Sequence, residues 1–465
     1  MPAQPGQPLS IVILAAGQGK RMKSDLPKVL QPLAGKPLLR HVIDTACTLQ
    51  PVSLHVVYGH GGDIVRGALA EAPVSSWCLQ AEQLGTGHAV QQALPALHDG
   101  ALALILYGDV PLVSAETLRS LVALAGSKVM SLLTVMLDDP TGYGRIVRDA
   151  RGKVRRIVEQ KDATARERKI REGNTGVMVV PVKWLRRWLG KLKNSNAQGE
   201  YYLTDIIAMA VRDKVGVAPL VVPTVAEVLG INDKLQLAEV EAHYRAARAR
   251  ELMLAGVTVV DPARLDVRGS LRTGRDVFID ANVVFEGEVQ LGDRVHIGPH
   301  CVLRDCRIDH DVRVQSHCVI EEASVGAGSI IGPFARLRPG AALAAEVHIG
   351  NFVEVKNSSL AVGAKANHLA YVGDATVGAR VNIGAGTIIA NYDGANKHRT
   401  VIEADVHVGS NCVLIAPVTI GAGGTVGGGS TISKSTEPGA LSVARGKQVS
   451  IANWKRPQKA PKPAQ

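Results

Sequence analysis

Near the start of the chain, Ala15-Ala16-Gly17-Gln18-Gly19-Lys20-Arg21-Met22 follows directly on a short apolar run at 11–14. Small residues let backbone N–H groups close on an anion and basic residues supply countercharge, the pattern of a phosphate-holding loop. Lys28, in Leu26-Pro27-Lys28-Val29-Leu30, stands near enough in sequence to reach the same phosphates. The third glycine and the acidic residue of a dinucleotide fingerprint are missing, which excludes a Rossmann dehydrogenase. A later apolar run ends in Tyr107-Gly108-Asp109-Val110-Pro111. An aspartate there suits Mg²⁺, which takes one or two carboxylates plus phosphate oxygens, although a lone aspartate in a loop is more usually a cap or a turn. Three further loops, Gln80-Ala81-Glu82-Gln83-Leu84-Gly85-Thr86-Gly87, Thr141-Gly142-Tyr143-Gly144-Arg145 and Asn174-Thr175-Gly176, are rich in glycine and polar side chains. Amides beside close-approach glycines fit a nucleobase edge and sugar hydroxyls, and any one such loop also fits an ordinary turn.

A second group lies far downstream: Arg336, Arg338, Lys356, His368 and Tyr371, followed by the polar run Ala390-Asn391-Tyr392-Asp393-Gly394-Ala395-Asn396-Lys397-His398-Arg399-Thr400. Cations anchor a phosphate, and a histidine beside them is suited to take a proton near neutral pH. The other histidines of this region, His296, His300, His310 and His317, read as surface residues.

These residues need elements to hold them. From about 268 to 432 apolar-glycine pairs recur every six residues, as at Ile297-Gly298, Ile331-Gly332, Ile349-Gly350, Ile383-Gly384 and Ile420-Gly421. Small or branched side chains follow four residues after each beat: Cys301, Cys318, Ser329, Ala335, Val353, Thr387 and Cys412. That period fits a parallel β-helix, in which each hexad gives one short strand and one turn. Glycine or asparagine (Asn351, Asn382, Asn411) is expected at the turns, where φ is positive. The run 390–400 interrupts the beat, and insertions in repeats often carry the binding face. Upstream, apolar runs at 54–58, 101–106, 131–135 and 176–180 alternate with helical stretches, an α/β sheet with ligands at the strands' carboxyl ends. Between the halves, 234–255 is rich in Leu, Ala, Glu and Arg without Gly or Pro, a joining helix that Gly256 stops.

At 465 residues the chain is long enough for two cores. A net charge of +11 with only 3% aromatic residues favours small anionic ligands over nucleic acid, which needs aromatic platforms. Basic clusters at 166–171 and 245–250 read as solvated helix faces. Six cysteines without CxxC spacing read as packing in a reduced, cytoplasmic protein, and no stretch reaches membrane-spanning length.

Together the loop at 14–22, the Lys28 segment, the loop 80–87, Gly108-Asp109 and the hexads resemble the bacterial bifunctional N-acetylglucosamine-1-phosphate uridylyltransferase/glucosamine-1-phosphate N-acetyltransferases, from about Ser10 to Trp454. Lys20 departs from the threonine usual in that family's loop. The resemblance implies an α/β protein with a Rossmann-like nucleotidyltransferase domain at 1–232 and a linker helix at 233–256. It also implies a left-handed parallel β-helix acetyltransferase domain at 257–445 and a tail at 446–465 that reaches a neighbouring subunit of a homotrimer. By resemblance, Leu14, Ala15, Ala16, Gly17 and Lys28 hold the nucleotide, and Gln80, Gly85 and Thr86 read the uracil. Tyr107, Gly108 and Asp109 line the same site, Gly144, Glu159 and Asn174 hold the amino sugar, and Asp109 with Asn232 binds Mg²⁺. Asn232 by itself reads as a helix N-cap. His368 is implied as general base. Arg338, Lys356, Tyr371, Asn382 and Asn391 are implied for glucosamine-1-phosphate, and Ala385, Asn391, Tyr392, Ser410, Gly428 and Arg445 for acetyl-CoA. The implied substrates are UTP, N-acetylglucosamine-1-phosphate, glucosamine-1-phosphate and acetyl-CoA, with no nucleic-acid or membrane partner. The alternative is a sugar-nucleotide pyrophosphorylase whose β-helix only oligomerises; the inserted polar loop argues against it.

Overall fold

The computed structural model describes residues 7–59 and 61–458. It divides into two compact units, 1–248 and 249–465, and the division falls inside the helix Lys234–Leu254. Val240 of that helix packs with Met22, Leu33, Leu38 and Ile231 of the first unit, whereas Ala249 and Leu252 join the core of the second. Of the tail at 446–465, residues 459–465 lie outside the described residues, and 446–458 hold no helix or strand. Among the described residues no helix is long and apolar enough to cross a membrane.

The first unit is built on a mixed sheet. Its strands are β1 (Leu9–Ala15), β2 (Ser53–Tyr58), β3 (Ser76–Leu79), β4 (Leu102–Tyr107), β5 (Val129–Met136), β6 (Arg145–Arg148), β7 (Val154–Val158), β8 (Glu172–Pro181) and β9 (Gly216–Val221). The order is β9-β5-β8-β4-β1-β2-β3, with the hairpin β6–β7 attached to β8. β1 pairs in parallel with β2 and β4, and β8 is antiparallel to both β4 and β5. Ile11, Ile13, Leu104 and Leu106 face one apolar layer while Val12, Ala103 and Ile105 face the other, so β1 and β4 are covered on both sides. Burial on both faces is why these strands read as continuous apolar runs rather than alternating ones. β3, β7 and β9 carry exposed or charged positions and lack that signal, so the sequence pattern passed over them.

The second unit is a solenoid of parallel strands two to four residues long above the first coils. Three columns of strands run along it: one through His296, Arg313 and Ile330; one through Val302, Val319 and Arg336; one through Arg307, Ser324 and Ala342. Partners on neighbouring coils are 17 or 18 residues apart, three hexads to a coil. Across the inserted loop the offset grows to 25, as for Arg380 and Asp405. Inside, Cys301, Cys318, Ser329, Thr387 and Cys412 are fully buried and Ala335 and Val353 nearly so, as the small inward beat requires. All six cysteines are free thiols, and burial pushes Cys306 up to about 12.

One expectation is corrected. Positive φ falls two residues after the apolar-glycine pairs, on Asn411 as expected and on glycines such as Gly328, Gly386 and Gly429, but also on His300, Phe334 and Phe352; of the pair glycines named above, Gly332 alone (φ 96) shares it. Asn351 and Asn382 lie in strands with ordinary φ. The hexad glycines answer a different demand. A Cβ on Gly326 would sit 2.4 Å from the backbone of Ala344, and one on Gly350 would sit 1.9 Å from the Asn367 carbonyl oxygen. The next coil occupies the space where a side chain would be.

Candidate active sites

In the first unit, the carboxyl ends of β1 and β4 open on a cavity of about 270 Å³. Leu14, Ala15, Ala16 and Gly17 form one wall, Tyr107 and Asp109 another, and Lys28, Gln80, Gly85 and Thr86 close it. Gly17 has open space where a Cβ would stand, so a ligand can approach its backbone directly. Gly19 has φ 63 and a Cβ there would meet Lys28, which fixes the loop over that lysine. Gly108 donates its N–H to the Leu14 carbonyl at 2.9 Å, tying the two strand ends together. Gly85, at φ 107, leads into the helix Thr86–Ala93, whose N-terminus faces the cavity with its partial positive charge. Gln80 is buried and donates to the Gly85 carbonyl at 3.1 Å.

Lys28 is the centre of the polar floor. Its ammonium pairs with the Asp109 carboxylate and donates to Asn232 Oδ1 at 3.3 Å. Two oxygens from distant segments therefore converge on one cation. That donor set, a carboxylate and an amide oxygen with room for phosphate oxygens, fits Mg²⁺. Ile231 donates to the Asp109 carbonyl at 3.0 Å, which brings Asn232 to the strand end. The helix that follows is capped by Asp233, which accepts from the N–H of Gln236 at 2.9 Å, while Gln236 accepts from the N–H of Asn232 at 2.8 Å. The expectation of Asn232 as N-cap is thus corrected by one residue, and its side chain is left for the cavity.

The residues expected at the amino sugar also meet. The N–H of Asn174 donates to the Gly144 carbonyl at 2.8 Å, and a Cβ on Gly144 would lie 3.3 Å from Glu159 Oε2. Thr204 donates to Glu159 at 2.9 Å. Burial lifts the Glu159 carboxyl above the ordinary range against that hydrogen bond, aided by Asp162, Asp205 and Glu200. Gly176, at φ 83, leaves the space that the Tyr107 ring fills. Burial and the nearby carboxylates of Glu159 and Asp109 push the Tyr107 phenol up. Gln83, which donates to the Ala16 carbonyl at 2.5 Å, and Glu200 line the cavity without having been singled out. Gln83 sat in a loop already recognised, but nothing near Glu200 in sequence marked it.

In the second unit the expected residues fall into two groups. Arg338, Lys356 and Tyr371 share one face, reached by Asn391 and Lys397 of the inserted loop. Asp374 organises them: it takes Lys356 at 3.5 Å, Asn357 at 2.5 Å and the Asn391 amide. Burial pushes the Asp374 carboxyl up, but those partners outweigh it and hold it below the usual range. The Lys356 ammonium beside Lys397 pulls the latter's pKa down, with Arg338 adding to the effect. Arg338 is oriented by Glu354 at 2.8 Å. Three cations against two carboxylates, Asp374 and Glu354, leave net positive charge for an anion. Asp374 and Lys397 were missed, Asp374 because it looks like any other turn residue.

His368 and Asn382 belong to the other group. They lie in the strands Lys365–His368 and Asn382–Ile383 of the ladder through His296, and the left-handed Leu369 separates His368 from the Tyr371 strand. His368 is exposed, with Nδ1 at 2.8 Å from Asn351 Oδ1. Ascending coils continue its edge. The Asn411 N–H donates to the Ala385 carbonyl at 2.7 Å, Gly429 to Ser410 at 2.8 Å, and Arg445 Nη1 to Gly428 at 2.6 Å. Ala385, Ser410, Gly428 and Arg445 thus form one strip leading from His368. Tyr392 is exposed on the inserted loop, its hydroxyl donating to the Gly394 carbonyl at 2.6 Å. His296, His300, His310 and His317 are exposed, as expected.

Residues 11–211 match the MobA-like NTP transferase domain, and 267–359 match the GMPPB C-terminal domain. The chain is 60% identical over 451 residues to the bifunctional protein GlmU of an Azoarcus species, covering 97% of this chain and all of the relative. It is 58% identical to the protein of that name from Nitrosospira multiformis and 59% identical to that from Paracidovorax citrulli, each alignment covering 98% of this chain and 99% of the relative.

Proposed function

The chain belongs to the family of bifunctional GlmU proteins, and from that premise we propose how its own residues divide two reactions. It is an enzyme that acetylates glucosamine-1-phosphate with acetyl-CoA and joins N-acetylglucosamine-1-phosphate to the uridylyl group of UTP, releasing pyrophosphate and making UDP-N-acetylglucosamine. Our reading assigns uridylyl transfer to the first unit and acetyl transfer to the solenoid.

In the first, the attacking sugar phosphate is already ionised, so the residues must position and neutralise rather than move protons. The backbone of 14–17 and Lys28 hold the triphosphate, Gln80, Gly85 and Thr86 the base, and Gly144, Glu159 and Asn174 the amino sugar, with Tyr107 between. Asp109 and Asn232 would hold Mg²⁺, which supplies charge neutralisation at the phosphates when bound. Lys28, now shared by those two oxygens, is then free to turn to phosphate.

In the second, Arg338, Lys356 and Lys397 anchor the sugar phosphate, with Tyr371 and Asn391 beside them. His368 takes the proton from the amine so that nitrogen can attack the thioester. The strip Ala385, Ser410, Gly428 and Arg445, with Tyr392, receives acetyl-CoA. Asn382, on the His368 face, binds the sugar from that side. The phosphate anchor and His368 lie on different faces of one coil stack, and Phe334, Phe352, Leu369 and Ile388 are exposed. Both features support a homotrimer in which a neighbouring copy completes the site. Six free thiols and nucleotide substrates support a cytoplasmic setting.

The observation that carries the second activity is the inserted loop, which breaks the repeat to set Asn391 on Asp374 and Lys397 beside Lys356. A spacer has no use for that interruption. The test is thiol release from acetyl-CoA, which must depend on glucosamine-1-phosphate; release indifferent to the sugar phosphate, or none, refutes the assignment.

A further inference from the structure

Resting on the assignment of His368 as base, we propose that Asn351 is its positioning residue, fixing the imidazole tautomer and ring orientation that proton abstraction needs. The two side chains stand opposite each other on adjacent coils, Asn351 pairing with His368 in the ladder, and Asn351 Oδ1 lies 2.8 Å from His368 Nδ1. An amide oxygen only accepts, so the hydrogen sits on Nδ1 and the lone pair on Nε2. A base fixed in this way keeps Nε2 as its free, proton-accepting nitrogen on an exposed side chain. Without the acceptor the ring is free to take the other tautomer and to turn about its bonds.

Strand geometry makes the contact reliable. Asn351 is in a strand with ordinary φ rather than at a turn, and Gly350 before it lets the Asn367 backbone approach. Gln315, His348, Asn351, Asn367 and His368 surround a cavity of about 270 Å³. His348 is the other titratable group there, Lys365 begins the strand of His368, and the following coil presents Ala385 and Gly386, which do not ionise. No carboxylate lines that cavity, so the neutral amide acts on direction and tautomer rather than on charge.

The experiment compares Asn351→Leu, Asn351→Asp and His368→Ala in the full chain, with uridylyl transfer from the same preparations as folding control. Asn351→Leu keeps the shape and removes the acceptor; acetyl-transfer kcat should fall about tenfold to a hundredfold with KM for glucosamine-1-phosphate little changed. Asn351→Asp restores an acceptor and adds a charge, so kcat should recover and the acidic limb of the pH–rate profile should move upward by about one unit. Normal kcat in Asn351→Leu while His368→Ala is inactive overturns this inference and leaves His368 as base. Normal turnover in His368→Ala overturns the base assignment and this inference with it. If Asn351→Leu does not fold, Asn351→Asp decides: an unmoved limb overturns the proposal.

Discussion

Gly350→Ala separates two opposed effects of a methyl group. Gly350 has ordinary φ, so by chain entropy alone alanine should stabilise by roughly 0.4–1 kcal/mol. Its Cβ, however, would stand 1.9 Å from the Asn367 oxygen and 2.6 Å from its carbonyl carbon. Ordinary contacts lie near 3.5 Å, so a backbone must yield by about 1 Å or more, and overpacking of this kind costs about 1–3 kcal/mol. The steric effect wins because the obstacle is backbone held on both sides, Ile349 pairing with Ala366 and Asn351 with His368. Gly363→Ala is the comparison. Gly363 has φ 69 and its nearest neighbour to a new Cβ is 3.7 Å away, so only the left-handed penalty of about 1–2 kcal/mol applies. Gly350→Ala should also cost about a hundredfold in acetyl transfer, because the displaced carbonyl immediately precedes His368. Unfolding followed by far-ultraviolet circular dichroism reports both units, so the solenoid's transition is the one seen there and not by tryptophan fluorescence. Tryptophan fluorescence reports mainly the first unit, which holds Trp77, Trp184 and Trp188. Wild-type stability and acetyl transfer in Gly350→Ala would refute the close-approach argument.

Asp109→Asn should lower uridylyl transfer by roughly a hundredfold or more and leave acetyl transfer intact, with a coupled pyrophosphate assay as readout; equal loss of both would mean misfolding. His368→Ala should cost about two to four orders of magnitude in acetyl-transfer kcat while uridylyl transfer persists, and its pH–rate profile should lack the acidic limb of the wild type. Glu159 has its carboxyl lifted by burial, so it holds its proton more tightly folded than unfolded; that stabilisation is full below the ordinary glutamate range and is lost as pH rises through the lifted value. Glu159→Gln should therefore raise the first unit's stability relative to wild type as pH climbs from about 4 to 7, read by tryptophan fluorescence, and a difference that shrinks with rising pH would contradict the sign.

How much was legible in the chain follows from the range of each interaction. The hexad beat is local and repeated, so 268–432 declared a solenoid, and the break at 390–400 declared an exposed loop. β1 and β4 were legible because burial on both faces makes them uniformly apolar. The phosphate loop was legible because small residues and cations sit side by side. By contrast, that Lys28, Asp109 and Asn232 share one point depends on strand order, which places the end of β4 beside that of β1 and draws 231 to 109 through one backbone hydrogen bond. Asp374 became the hub of the anion site only when three coils stacked, because its partners Lys356 and Asn357 come from the coil before it and Asn391 from the coil after. The role of the hexad glycines was misread for the same reason. Sequence shows where a side chain is missing, but the backbone that takes its place, as Asn367 does over Gly350, belongs to another coil and exists there only once the chain has wound.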